Sequence, residues 1–341
     1  MNTLPSPLDR PASIPVLRRL LAAKVLSLQE VEAMELRVRQ DLPWKPWLDR
    51  GLLSLGVVLI LAGIGYFFAH NWNGLTNADK LGLSAGAVLV SLAGATWAGL
   101  DRFSGKLLLL AASALVGVYI AVFGQIYQTG ADSYELFTAW AFLIFPWVAL
   151  GRFMPLWIFW LGLLNLACGF YWTVSPFISD LENWDIFRSE TISLTALNGI
   201  ALLFREGVGR WPLAWLDRGW STLVLLAATI IPAAMETIGE ILYTWDPSSS
   251  SRSVFIACGL YAVFVIGLGF YYSRWRYSLP ALAIITLGTC TVLTFLAIRV
   301  LDFDQPNLNA GTWLVAGLIV LAIFGGGVLF LRTQRLSHQQ P

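Results

Sequence analysis

Long runs of apolar residues, separated by short polar segments, make up most of the chain between residues 51 and 331. A helix needs about 20 mostly apolar residues to cross a bilayer. The pattern predicts ten such spans. They are Gly51–Ala69, Leu81–Leu100, Leu107–Tyr127, Leu136–Leu150, Met154–Trp172, Thr191–Phe204, Gly219–Tyr243, Ser253–Tyr272, Ser278–Ile298 and Thr312–Leu331. The sixth is the shortest of the ten and contains Asn198.

The apolar runs are continuous and do not alternate with polar residues, so they predict spanning helices and not the strands of a membrane barrel. The predicted fold is therefore an all-α, polytopic transmembrane helix bundle over residues 51–331. Composition agrees, because 57% of the 341 residues are hydrophobic and 13% are charged. Soluble domains carry about 25% charged residues. This composition excludes a water-soluble globule, a disordered chain and a nucleic-acid-binding protein, and it makes the lipid bilayer the first partner.

The segment before the first span is polar and has its own pattern. Residues 1–15 contain four prolines and are predicted to be disordered. Residues 16–50 predict a short cytoplasmic pair of amphipathic helices, in which Ser27 and Glu30 have the spacing of a capping box. This pair is interpreted either as a docking surface for a cytoplasmic partner or as a segment that lies on the lipid headgroups.

The charges are distributed unevenly across the predicted connections. With the N-terminus in the cytoplasm, 18 of the 22 Lys and Arg residues fall on the inside, whereas 12 of the 21 acidic residues fall on the outside. Positive residues concentrate on the cytoplasmic side of membrane proteins. The chain is thus predicted to have both termini in the cytoplasm, an even number of spans, and a cytoplasmic tail over residues 332–341.

Three sequence stretches carry a resemblance to a known family. They are Leu26-Ser-Leu-Gln-Glu30, Ala69-His-Asn-Trp-Asn73, and Gly124-Gln-Ile-Tyr-Gln-Thr-Gly130 before Trp140. Together they resemble a bacterial family of integral membrane proteins catalogued as domain of unknown function 2157, over residues 15 to 150. The resemblance implies a multi-pass protein of the bacterial inner (cytoplasmic) membrane. It implies no activity, substrate or catalytic residue.

Polar side chains within a bilayer are costly, so their positions are the best indicators of function. Glu236 and Glu240 lie one helical turn apart on the seventh span, after Pro232. They therefore share a face of the helix. The functional interpretation is a proton or cation site, and the alternative is that both carboxylates lie beyond the end of the span in water.

A second group of polar and aromatic residues lies at the outer ends of the first and third spans. Its members are His70, Asn71, Asn73, Gln125, Tyr127, Gln128 and Asp132. We expect them to form a polar mouth on the same side as the two glutamates. The functional interpretation is a site for a solute or a partner, and the alternative is helix capping and hydrogen bonding between helices.

Metal, cofactor and catalytic motifs are not found in the sequence. Cys168, Cys258 and Cys290 lie in apolar stretches without C-x-x-C spacing, and the chain has two histidines. We therefore predict no metal site, no cofactor and no catalytic residue. The favoured function is a non-enzymatic envelope scaffold or membrane-complex subunit. The alternative is a transporter of a small solute or ion with a polar site on the periplasmic side, and an intramembrane enzyme ranks third.

Overall fold

The computed structural model describes residues 20, 25–27, 29–31, 34, 44–174, 190–208, 219–243, 252–301 and 310–337. Within these ranges the regular elements are helices and no strand occurs, which confirms the predicted all-α fold. From Trp44 onward the α-helices are α1 Trp44–Asn71, α2 Asn77–Ala98, α3 Phe103–Tyr127, α4 Ser133–Gly151, α5 Met154–Val174, α6 Glu190–Val208, α7 Gly219–Tyr243, α8 Arg252–Phe270, α9 Leu279–Val300 and α10 Ala310–Ser337. A π-helical turn, Tyr271–Trp275, continues α8.

The chain forms two compact units, residues 1–69 and 70–341. In the first unit, the predicted capping box is present. The Ser27 backbone N–H and hydroxyl donate to Glu30 Oε2 at 2.8 and 2.7 Å, and the Glu30 N–H donates back to the hydroxyl at 3.3 Å. These bonds lower the pKa of the Glu30 carboxyl below its ordinary 4.5. The cap is therefore fully formed above pH 4.5 and is lost as the pH falls through the lower folded-state pKa. The predictions for residues 1–15, and for most of residues 16–43, lie outside the described residues.

In the second unit, helices that follow one another in the chain pack side by side, from α2 against α3 through to α9 against α10. Helix α7 contacts its neighbours α6 and α8 and, in addition, α9, which does not follow it directly in the chain. Its side chains Leu225, Leu226, Ile230 and Ile241 are almost fully buried. Helix α7 therefore lies at the centre of the second half of the bundle.

Tryptophan side chains connect neighbouring helices in the first half of the bundle. Trp140 on α4 donates its indole N–H to the Ser113 carbonyl on α3 at 2.7 Å, and Trp160 on α5 donates to the Ala141 carbonyl on α4 at 3.0 Å. Gly117 makes room for the first indole, since a Cβ at this position would lie 2.3 Å from the Trp140 ring. A buried indole N–H requires such an acceptor, so each tryptophan specifies how its two helices pack.

Each of the ten predicted spans coincides with one helix, but not all of these helices are equally apolar. Nine helices of the described part are long and apolar enough to cross a membrane. Helix α6, the sixth predicted span, is not among them. Its ends carry Glu190, Arg205 and Glu206, which reduce its mean hydropathy.

Helix α6 nevertheless runs antiparallel to α7 along its whole length. Thr191 at its start donates a hydrogen bond to Glu236 near the end of α7. Gly199 in its middle faces Thr229, and Arg205 near its end lines the same cavity as Thr222. Helix α6 therefore lies alongside α7, which is itself one of the nine apolar helices.

Candidate functional site

The two glutamates predicted as a site line one cavity, which we call the Glu236 cavity. Its volume is about 270 Å³, and it lies between α6, α7 and α8. Its lining residues are Ile192, Thr195, Ala196, Ala233, Glu236, Thr237, Glu240, Ser253, Ile256, Ala257, Leu260, Tyr261 and Phe264.

Helix geometry explains why the carboxylates face the cavity together. Glu236 and Glu240 are four residues apart on α7, so their side chains lie one above the other. Both are half-buried. The hydroxyl of Thr191 on α6 donates to Glu236 Oε2, which ties the carboxylate to the neighbouring helix.

The rest of the cavity wall is mainly apolar, with two aromatic rings, Tyr261 and Phe264, from α8. The hydroxyls of Thr195 and Thr237 donate to backbone carbonyls of their own helices, Thr191 and Ala233. Their oxygens can still accept a hydrogen bond. Carboxylates and aromatic faces both attract cations, so the chemistry of the cavity suits a small cation with an apolar body.

The seven other predicted site residues do not line this cavity. Gln125, Tyr127 and Gln128 are exposed at the end of α3, where Gln128 adopts a left-handed conformation with φ 44° and ends the helix. His70 and Asn73 are exposed and Asn71 is half-buried at the end of α1 and in the turn that follows. That these residues form one polar mouth stays a prediction.

Asp132, the last member of that group, caps α4. It forms a capping box with Glu135, in which the Asp132 backbone N–H donates to Glu135 Oε2 at 3.2 Å and the Glu135 N–H donates to the Asp132 carbonyl at 3.0 Å. Thr76 and Asp79 form the same reciprocal cap at the start of α2. Helix capping, the alternative to a binding role, therefore describes what Asp132 does in this structure.

The two asparagines in the middle of spans form a hydrogen-bonded pair between helices. Asn165 on α5 donates to Asn198 Oδ1 at 3.1 Å, and Asn198 on α6 donates to Asn165 Oδ1 at 2.6 Å. Asn198 is 1% exposed. The pair joins α5 to α6, as expected for polar side chains that connect membrane helices.

Sequence analysis missed a second polar centre, at the opposite end of α6. The Glu206 carboxylate accepts from Arg205 Nη1 at 2.5 Å, Arg276 Nη1 at 2.6 Å, Tyr271 Oη at 3.0 Å and Tyr272 Oη at 3.2 Å. From the sequence, Arg205 and Arg276 belong only to the excess of positive charge on the predicted cytoplasmic side. The one available signal was the adjacent Arg205 and Glu206 at the end of an apolar run.

Within the described ranges, no three His, Cys, Asp or Glu side chains come close enough to hold a metal ion. The two glutamates of the Glu236 cavity are therefore not part of a larger acidic cluster in that portion of the chain. The site is a pair of carboxylates in a largely apolar wall.

Comparison with known families gives one match. Residues 18–157, fewer than half of the chain, match the model of a family described as "Predicted membrane protein (DUF2157)". The matched region includes the ends of α1 and α3 but ends before the Glu236 cavity. No curated protein and no solved structure matches the chain. The chain is thus a multi-pass membrane protein whose residues 18–157 are similar to the DUF2157 family, which confirms the resemblance carried by its first and third spans.

Proposed function

We propose that this protein binds a small organic cation in the Glu236 cavity and carries it across the membrane. The observation that supports this function is the pair of carboxylates on one face of α7, beside two aromatic rings in a cavity of about 270 Å³. An ionised carboxylate at membrane depth is costly, and a bound cation offsets that cost. The small volume favours a compact amine over a large drug-like molecule.

A transport role, and not binding alone, is supported by the polar groups along the α6–α7 interface. Six of the nine buried polar or charged side chains found in the described residues belong to these two helices. They are Asn198, Arg205, Ser221, Thr222, Thr229 and Thr237. They extend from the Glu236 cavity towards Glu206, so the interface offers polar groups across the membrane depth.

We place the protein in the bacterial inner membrane with both termini in the cytoplasm. The Lys and Arg bias supports this orientation. It puts the Glu236 cavity on the periplasmic side and Glu206 on the cytoplasmic side. The solute would enter from the periplasm.

The test is titration of the protein in lipid nanodiscs with benzylammonium, using neutral benzyl alcohol as the reference ligand. The double variant Glu236→Gln/Glu240→Gln removes both negative charges with little change of shape. We expect its Kd for benzylammonium to rise about tenfold or more, as for the loss of a charged hydrogen-bond partner. Uptake of benzylammonium into proteoliposomes is expected to fall in parallel.

Glu190→Gln is the matched control. Glu190 is an exposed acid at the same end of α6–α7, and it does not line the cavity. We expect its Kd to stay within about twofold of the wild-type value, since exposed charges are screened. The proposal fails if the double variant binds benzylammonium as well as the wild type does, or if benzyl alcohol binds equally well.

A membrane-complex subunit is the second candidate function, and one feature of α10 favours it. The apolar window of this helix contains no buried residue. Gly325 faces open space, whereas Gly327 packs against Cys290 and Thr286 on α9. Exposed glycines let another membrane helix approach closely, so this face of α10 suits a partner helix.

A further inference from the structure

The Glu206 centre carries more positive than negative charge. One carboxylate is held by two guanidinium groups, those of Arg205 and Arg276, and by two phenol hydroxyls. The side chain of Glu206 is 8% exposed and that of Arg205 is 3% exposed, whereas Arg276 is 37% exposed. The three charged groups sum to one net positive charge, and Arg276 is the one that water or a ligand can reach.

The π-helical turn explains how two consecutive tyrosines reach the same carboxylate. Adjacent residues of a regular α-helix point about 100° apart. In the wider turn Tyr271–Trp275, the rings of Tyr271 and Tyr272 lie edge to face with centroids 5.0 Å apart, and both hydroxyls contact Glu206. Turns of this kind are frequent at functional sites.

A polar cavity of about 270 Å³ opens beside this centre. Arg205, Arg276, Thr222, Tyr277 and Ser278 contribute donors to its wall. Helix α6 and the π-helical turn end beside this cavity, and α7 and α9 begin there. The cavity therefore lies at one end of the bundle. Arginine provides a planar fork of N–H donors that suits phosphate oxygens, so a cavity with two arginines and a net positive charge favours an anion.

An apolar groove adjoins the polar cavity. It has a volume of about 640 Å³, runs between α6 and α8, and includes Leu203, Val263 and Gly267 in its wall. The cavity and the groove share Glu206 and Tyr272. A ligand that occupies both therefore has a charged head at the membrane surface and an apolar chain alongside the helices.

We propose that the Glu206 centre is a binding site for an anionic phospholipid, with the phosphate in the polar cavity and an acyl chain in the apolar groove. Basic pockets between membrane helices are known to take such headgroups. Inorganic phosphate shares the headgroup chemistry but leaves the groove empty, so the groove is what favours a lipid. Arg276 contacts the phosphate, while Arg205, Tyr271 and Tyr272 donate to the Glu206 carboxylate, which also lines the cavity, and so offset its negative charge.

The experiment is a titration of delipidated protein in detergent with dioleoyl phosphatidylglycerol, followed by native mass spectrometry. Dioleoyl phosphatidylcholine is the zwitterionic reference, and inorganic phosphate is the soluble competitor. We expect Arg276→Gln to raise the Kd for phosphatidylglycerol about tenfold, the usual loss for a charge-assisted hydrogen bond. Arg276→Lys keeps the positive charge but loses the planar pair of N–H donors. Its Kd for phosphatidylglycerol is expected to lie between those of the wild type and Arg276→Gln.

Arg274→Gln is the matched control, since Arg274 lies in the same turn, is exposed and does not line the cavity. Leu203→Trp fills the groove, because Leu203 is 72% exposed within its wall. Leu203→Trp is expected to weaken the binding of phosphatidylglycerol and to leave the binding of inorganic phosphate unchanged. Thermal unfolding verifies that each variant folds.

Two results would overturn the lipid site. One is an equal loss of phosphatidylglycerol affinity in Arg274→Gln and Arg276→Gln, which would mean that any positive charge on this surface attracts the lipid. The other is displacement of phosphatidylglycerol by equimolar inorganic phosphate, which would mean a free-anion site. Glu236→Gln/Glu240→Gln is expected to keep its lipid affinity, so this site and the cation site can fail independently.

Discussion

Asn165 and Asn198 show how single residues join helices in this protein. Each amide donates once to its partner across the helix interface and once to a carbonyl of its own helix, that of Leu161 or Leu194, at 2.8 Å. Both amide nitrogens are therefore fully used. A ligand that needed either side chain would first have to break this pair.

At this scale we predict a coupling free energy of about 1 kcal/mol between the two asparagines, within the range measured for hydrogen bonds between membrane helices. The measurement is a double-mutant cycle of Asn165→Ala and Asn198→Ala, with reversible unfolding in mixed micelles. Thr286→Ala is the control partner for Asn198→Ala, because its hydroxyl donates within its own helix to Leu282. That pair is expected to be additive within about 0.5 kcal/mol, and a coupling near zero for the asparagines would contradict the prediction.

Helix α6 shows at the element scale why composition and structure disagree about a span. Its exposed positions include Ile200, Leu203 and Phe204, which are apolar, while Asn198 and Arg205 are buried. A helix in lipid turns its apolar face outward and its polar face to its neighbours. Mean hydropathy averages the two faces, so it underestimates a helix of this kind.

We therefore predict that α6 crosses the membrane. Cysteines introduced singly into the 175–189 and 209–218 connections are expected to react with a membrane-impermeant maleimide from opposite sides, after Cys168, Cys258 and Cys290 have been replaced by serine. Cysteines in the 99–102 and 152–153 connections are the control pair, since two spans separate them and the same side is expected. Reaction of both test cysteines from one side would mean that α6 does not cross the membrane. The number of spans would then be odd, and the two termini would lie on opposite sides of the membrane.

The whole molecule leaves α10 with an apolar face that the rest of the described chain does not cover. If the protein is a complex subunit, extraction in native nanodiscs is expected to recover it with a stable partner. Gly325→Leu is then expected to release the partner, because Gly325 faces open space on α10. Gly259→Leu on α8, also in open space, is the control. Recovery of the wild-type chain as a lone monomer would exclude this function.

The sequence by itself determined the features that depend on neighbouring residues and on the solvent. Apolar runs of membrane length predicted each helix, and the Ser27–Glu30 spacing predicted a cap that the structure contains. The four-residue spacing of Glu236 and Glu240 placed them on one face. These features follow from helix geometry and from the cost of polar groups in lipid.

The tertiary structure alone decided which distant polar residues meet. The wall of the Glu236 cavity comes from three helices, and the Glu206 centre joins residues 65 to 70 positions apart. The local pattern of a span shows that a polar side chain must avoid lipid, but several neighbouring helices could accommodate it. Packing around α7 decides which helix each polar side chain contacts. The Glu236 cavity and the Glu206 centre therefore form only when the helices are assembled.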